Sequence, residues 1–176
     1  MDDLTRGIEL ASDSNYVSVL VLLKSIEAID DRRFYQTERG YEGALVAELA
    51  NRLPKAGVLD GSIVEMEYQK RLGLHGTRIR PDILIHLPAP DDGDRRVGNV
   101  MACELKLRAR RSDAMSDFRK LDELCGKLAY PVVVFINIDS NDTYAEFYNG
   151  PYRERFHFFA TQLRDGKPHV KHVAGR

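Results

Sequence analysis

The stretch NVMACELKLR at positions 99 to 108 carries a glutamate and a lysine two residues apart. Side chains alternate along a strand, so Met101, Cys103, Leu105 and Leu107 share one face, and Ala102, Glu104, Lys106 and Arg108 share the other. Upstream, RIRPDILIHL at 78 to 87 alternates again. Here Ile83, Ile85 and Leu87 point one way and Asp82, Leu84 and His86 the other. A hairpin of these two strands symmetric about Gly93 sets Asp82 opposite Glu104, because the two acids are equidistant in sequence from that glycine. Like charges facing each other across a sheet repel, so the pair persists only where a cation or a shared proton offsets the repulsion. Glu42 is a third acid of interest. Three residues before Leu45, it falls on or near the core-facing side of a helix, at that helix's N-terminal end. Plainer readings stand beside these: a sheet with one solvated face shows the same alternation of charge, and an acid in a first turn complements the helix dipole.

The elements that must position these residues can be read from periodicity. Residues 15 to 30 (NYVSVLVLLKSIEAID) read as a helix covering the core. GYEGALVAELANRLPKAG reads as a second, with the stripe Leu45, Val46, Leu49 and Leu53, ended by Pro54 and Gly57. SIVEMEYQK alternates as a strand, the turn RLGLHG follows, and Pro81 belongs at the start of the next strand because it cannot donate to a ladder. RSDAMSDFRKLDELCGKL carries Met115, Phe118, Leu121, Leu124 and Leu128 at helical spacing, with Ser112 as its expected N-cap. The apolar run PVVVFINI then reads as a strand buried on both faces, and strand, helix, strand implies a parallel crossover. That places the Glu104 strand near the sheet centre. NDTYAEFYNG suggests a short helix, and RFHFFATQLRDGKPHVKHV two closing strands around Asp165 and Gly166.

The 176 residues, 43% apolar and 30% charged, describe one soluble domain. Its expected parts are an N-terminal helical extension (1–36), a core (41–138) and C-terminal strands (139–176). No apolar run approaches the roughly 20 residues of a bilayer span and the N-terminus is no secretory signal, so the expected location is the cytoplasm, without a membrane partner. Cys103 and Cys125 have no CxxC or nearby histidine and read as buried thiols. A net charge of −1 does not mark a globally basic nucleic-acid binder, so a polyanion would meet local patches: Lys70, Arg71, Arg78 and Arg80, or Lys106, Arg108, Arg110 and Arg111. Glu65 and Glu67 read as outward-facing, His86 as a packed or surface histidine, and the histidines of HVKH carry no ligand pattern on a strand. There is no P-loop, GxSxG elbow or dinucleotide fingerprint.

Glu42 on an early helix, Arg80-Pro81-Asp82 opening a strand and Glu104-Leu105-Lys106 on the next, followed by helix and buried strand, resemble the PD-(D/E)xK nuclease superfamily. The resemblance implies an α/β fold with a restriction-endonuclease-like core (α-β-β-β-α-β), its mixed central sheet flanked by helices. It also implies that Asp82, Glu104 and the backbone carbonyl of Leu105 hold Mg²⁺ or Mn²⁺, that Lys106 serves the attacking water, and that Glu42 completes the catalytic set. Carboxylate oxygens suit such hard cations. An ammonium at Lys106 orients the water or offsets transition-state charge, and burial beside a metal that lowers its pKa would open base work to it as well. Arg80, Arg108, Arg110 and Arg111 are the candidates for backbone phosphates. The expected activity is metal-dependent hydrolysis of nucleic acid, DNA before RNA, leaving a 5′-phosphate, with a homodimer supplying two centres for two strands. The alternatives are a non-catalytic nucleic-acid-binding or assembly module that keeps the fold, and a structural α/β domain that binds neither metal nor nucleic acid.

Overall fold

The computed structural model describes residues 3–57, 63–67, 69–87 and 93–175. The chain runs through α1 (Asp3–Glu27), α2 (Glu38–Arg52), β1 (Ile63–Met66), the one-turn helix α3 (Leu72–His75), β2 (Ile83–His86) and β3 (Asn99–Leu107). It continues through α4 (Arg111–Leu128), β4 (Val132–Ile138), β5 (Phe156–Arg164) and β6 (Lys167–Ala174). The six strands form one sheet in sequence order. β1, β2 and β3 are antiparallel, β3, β4 and β5 are parallel, and β6 returns antiparallel to β5. The fold is therefore α/β, with a mixed sheet flanked by helices. Among the described residues no helix is long and apolar enough to cross a membrane.

β3 lies inside the sheet with both faces covered, so the solvated-face reading of its alternation does not hold. Met101, Cys103 and Leu105 join Val19, Leu22 and Ile26 of α1 and Tyr41, Leu45 and Leu49 of α2 in one core. Ala102 joins Phe118, Leu121 and Leu124 of α4 in the other. All seven residues of β4 are buried, as expected of a strand sandwiched between layers. Asp165 (φ 51°) and Gly166 (φ 73°) are both left-handed, the geometry of the tight turn that closes β5 on β6. This hairpin extends the sheet to its edge. Both cysteines are buried and unpaired.

Several boundaries depart from periodicity. α1 begins well before residue 15 and stops at Glu27. β1 stops at Met66 because Glu67 turns left-handed (φ 47°), and β2 occupies only Ile83–His86 of the longer alternating stretch. RLGLHG is not an open turn but contains α3. The N-cap of α4 is Arg110, not Ser112; the Asp113 carboxylate accepts the Arg110 backbone N–H at 3.0 Å, satisfying the helix entry that a serine would otherwise cap. NDTYAEFYNG supplies only a 3₁₀ turn at Ala145–Phe147.

Phe118 anchors α4 to the sheet. It is 1% exposed and meets Phe135, Tyr148, Phe156 and Phe158 edge-on, with ring centroids 5.2 to 6.1 Å apart. Phe118→Ala should therefore cost about 3–5 kcal/mol, read as a lower urea midpoint at unchanged slope. A loss below about 1 kcal/mol would contradict this packing.

Candidate active site

The site forms where β2 begins and β3 continues without it. Pairing of β2 with β3 starts at Ile83 opposite Cys103, and its register carried back one residue sets Asp82 opposite Glu104. The Asp82 N–H still donates to Cys103 O at 3.1 Å, but Pro81 before it has no N–H to extend the ladder. Leu105 and Leu107 thus have β4 on one side and no strand on the other. Carboxylates take the place of that strand. Asp82 Oδ2 accepts the Leu105 N–H at 2.6 Å, and Glu38 Oε2 accepts the Leu107 N–H at 3.2 Å. The Leu105 carbonyl accepts an ammonium, Lys106 Nζ, at 2.9 Å.

Lys106 Nζ also donates to Glu38 Oε1 at 3.2 Å and lies 3.9 Å from Asp117 Oδ2. A second ammonium, Lys120 Nζ, donates to Glu104 Oε2 at 3.0 Å and Asp117 Oδ1 at 2.6 Å. The structure thus gathers Asp82, Glu104, Lys106 and Glu42, and adds three residues that periodicity did not nominate: Glu38, Asp117 and Lys120. Glu38 was missed because α2 starts two residues earlier than its apolar stripe indicates, with Thr37 as N-cap. Asp117 left a signal. It interrupts the buried stripe of Ala114, Phe118 and Leu121 and is itself 1% exposed. Lys120 follows it by one helical turn, where an ammonium reaches the same carboxylate.

Burial dominates the electrostatics. Glu104 is 1% exposed, and burial, followed by the charges of Asp82 and Asp117, pushes its carboxyl up to about 8 against the opposing pull of Lys120. Glu42, 4% exposed, is raised to about 7 by burial and then by Asp82 and Glu67. Asp82 is also raised by burial, although its bond from Leu105 and the Lys106 charge oppose the shift. For Lys106, burial alone would lower the pKa, but Asp117, Asp82 and Glu38 together outweigh it and hold the ammonium above its ordinary value. Three oxygens, Glu42 Oε1, Glu104 Oε1 and Asp117 Oδ2, are buried with no hydrogen-bond partner. Among the described residues no three Asp, Glu, His or Cys side chains form a ready-made metal-binding group. Ammonium groups and a backbone N–H stand between the acids instead.

The expected phosphate contacts are dispersed around this cluster and already engaged. Arg80 lies 3.7 Å from Glu67, Arg108 pairs with Asp139 at 2.6 Å, Arg110 with Asp113 at 3.3 Å, and the Arg111 guanidinium stacks 3.8 Å from the Phe147 ring centroid. Arg108 also lines a polar cavity with Arg32, Gln36 and Asp165, which includes none of the clustered carboxylates. Glu67 is not simply outward-facing. It bonds Arg39 at 2.6 Å and its charge reaches Glu42. Glu65 and His86 bond each other at 3.0 Å, away from the cluster. Lys70 is buried rather than part of a surface patch, with Nζ 3.3 Å from the Tyr130 hydroxyl. The chain matches no protein-family model, no curated protein and no solved structure.

The folded state holds the Glu42 proton more tightly than the unfolded chain does, so this group's contribution to stability is fully present below about 4.5 and is lost as pH rises through about 7. Glu42→Gln mimics the protonated form. In a chelator, its melting temperature should match wild type near pH 4 and exceed it at pH 8, by the equivalent of about 1–3 kcal/mol. Parallel melting curves for the two proteins across that range would refute the buried, acid-crowded placement of Glu42.

Proposed function

We propose that the protein is a metal-dependent nuclease that hydrolyses phosphodiester bonds of DNA, built on a restriction-endonuclease-like core. The observation that carries this reading is the set of partnerless buried oxygens on Glu42, Glu104 and Asp117, close enough to Asp82 for their charges to interact. Buried polar atoms without partners are rare and costly, and oxygen donors of this kind suit Mg²⁺ or Mn²⁺. The order α2, β1, β2, β3, α4, β4 agrees with the helix, three strands, helix, strand of the PD-(D/E)xK core, with α3 as an insertion.

In this reading Asp82, Glu104 and the Leu105 carbonyl hold the ion, and Glu42 completes the acidic set. The ion supplies Lewis-acid stabilisation of charge developing on phosphate oxygens. Lys106, kept an ammonium by its acidic neighbours, donates to the attacking water and offsets charge rather than abstracting a proton. Arg80 and Arg108, ion-paired but with more than half of each side chain exposed, contact backbone phosphates on either flank. A symmetric homodimer would present one centre to each strand of a duplex. One observation favours the non-catalytic alternative, a binding or assembly module: Lys106 and Lys120 already engage Glu38, Glu104 and Asp117.

Mg²⁺ or Mn²⁺ should raise the melting temperature of wild type by binding the folded state, and Asp82→Ala should abolish the gain. Lys106→Ala should keep the gain while cleavage of plasmid DNA falls at least about 100-fold. Neither gain nor cleavage in wild type would end the nuclease reading; gain without cleavage would favour the binding module.

A further inference from the structure

Glu104 and Asp117 sit on different elements, yet one ammonium bridges them. Lys120 Nζ reaches Glu104 Oε2 at 3.0 Å and Asp117 Oδ1 at 2.6 Å, while Glu104 Oε1 and Asp117 Oδ2 stay buried without a hydrogen-bond partner. Asp117 Oδ2 also lies 3.9 Å from Lys106 Nζ, so the Asp117 carboxylate stands between both ammonium groups. Lys120 bridges the two carboxylates, each 1% exposed, with a single positive charge. A divalent cation carries twice the charge of an ammonium and takes six or more oxygen ligands where an ammonium has three donors. The Lys120 side chain is 39% exposed, so its stem gives the ammonium a way out to solvent.

We propose that the space between Glu104 and Asp117 is a divalent-cation position that Lys120 holds until the ion arrives. Asp117 is then an ion ligand from α4 and Lys120 its resident competitor. The inference rests on the reading of this cluster as a divalent-ion centre, and it differs from a purely structural salt bridge in what removal of each partner does. A structural Lys120 stabilises the protein alike with and without ion. A competing Lys120 stabilises the ion-free protein only.

The test is Mn²⁺ binding to the full chain, followed by calorimetry and by melting temperature. Lys120→Met should melt lower than wild type in a chelator, gain more from Mn²⁺ than wild type does, and bind Mn²⁺ at least tenfold more tightly. Asp117→Asn retains an oxygen for Lys120 and should fold, but should bind Mn²⁺ at least tenfold more weakly. If wild type binds Mn²⁺ and Asp117→Asn binds it equally well, the inference falls and the nuclease reading stands. The inference falls in the same way if Lys120→Met folds but gains no more from the ion than wild type. If neither wild type nor any variant binds Mn²⁺, both readings fall together.

Discussion

The structure is organised around the cost of keeping several carboxylates together away from water. Two like charges about 4 Å apart at the effective dielectric of a protein repel by about 4 kcal/mol, a large fraction of a domain's stability. Asp82, Glu104, Asp117, Glu38 and Glu42 nevertheless share one region, with Lys106 and Lys120 bonded among them. Burial first, and that crowding of charge second, displaces the Glu42 and Glu104 carboxyls upward. Crowded, perturbed carboxyls of this kind cluster at sites of chemistry, and the proposed function rests on this cluster.

The sheet creates the space for this crowding by a mismatch in strand length. β3 continues to Leu107, whereas β2 reaches only as far as Ile83 along it. Beyond that point the ladder would leave N–H groups unsatisfied in the interior, and the carboxylates of Asp82 and Glu38 accept them. The same geometry that repairs the backbone therefore imports negative charge beside Glu104. Parallel pairing with β4 continues on the other side of β3 through this stretch, and α4 crosses over to add Asp117 and Lys120.

The two ammonium groups differ in what they touch. Lys106 bonds a backbone carbonyl and an acid at the start of α2, so it is tied to the open end of β3. Lys120 touches only carboxylates and reaches them from a helix with much of its stem in solvent. In the proposed reading the first would work beside a bound ion and the second would be replaced by one.

Sequence periodicity alone determined the sheet centre, the stripe of α4, the doubly buried β4 and the closing hairpin, because burial patterns of period 2 and 3.6 are local properties of the chain. The equal spacing of Asp82 and Glu104 about Gly93 matches the register of Ile83 to Ile85 with Cys103 to Met101, although the ladder shifts by one at His86, nearer the loop. Local pattern could not show where strands stop. Glu67 turning left-handed shortens β1 while alternation continues past it, whereas Pro81, read from the sequence as a strand start, does lie just before β2. Nor could it assign Glu38, Asp117 and Lys120, whose side chains look like a first-turn acid, an interrupted stripe and a surface lysine until α2 and α4 are laid against β3. The β3 residues they meet lie from 11 to 69 residues away along the chain. Charge interactions depend on distance in space, and only the packed tertiary structure sets that distance.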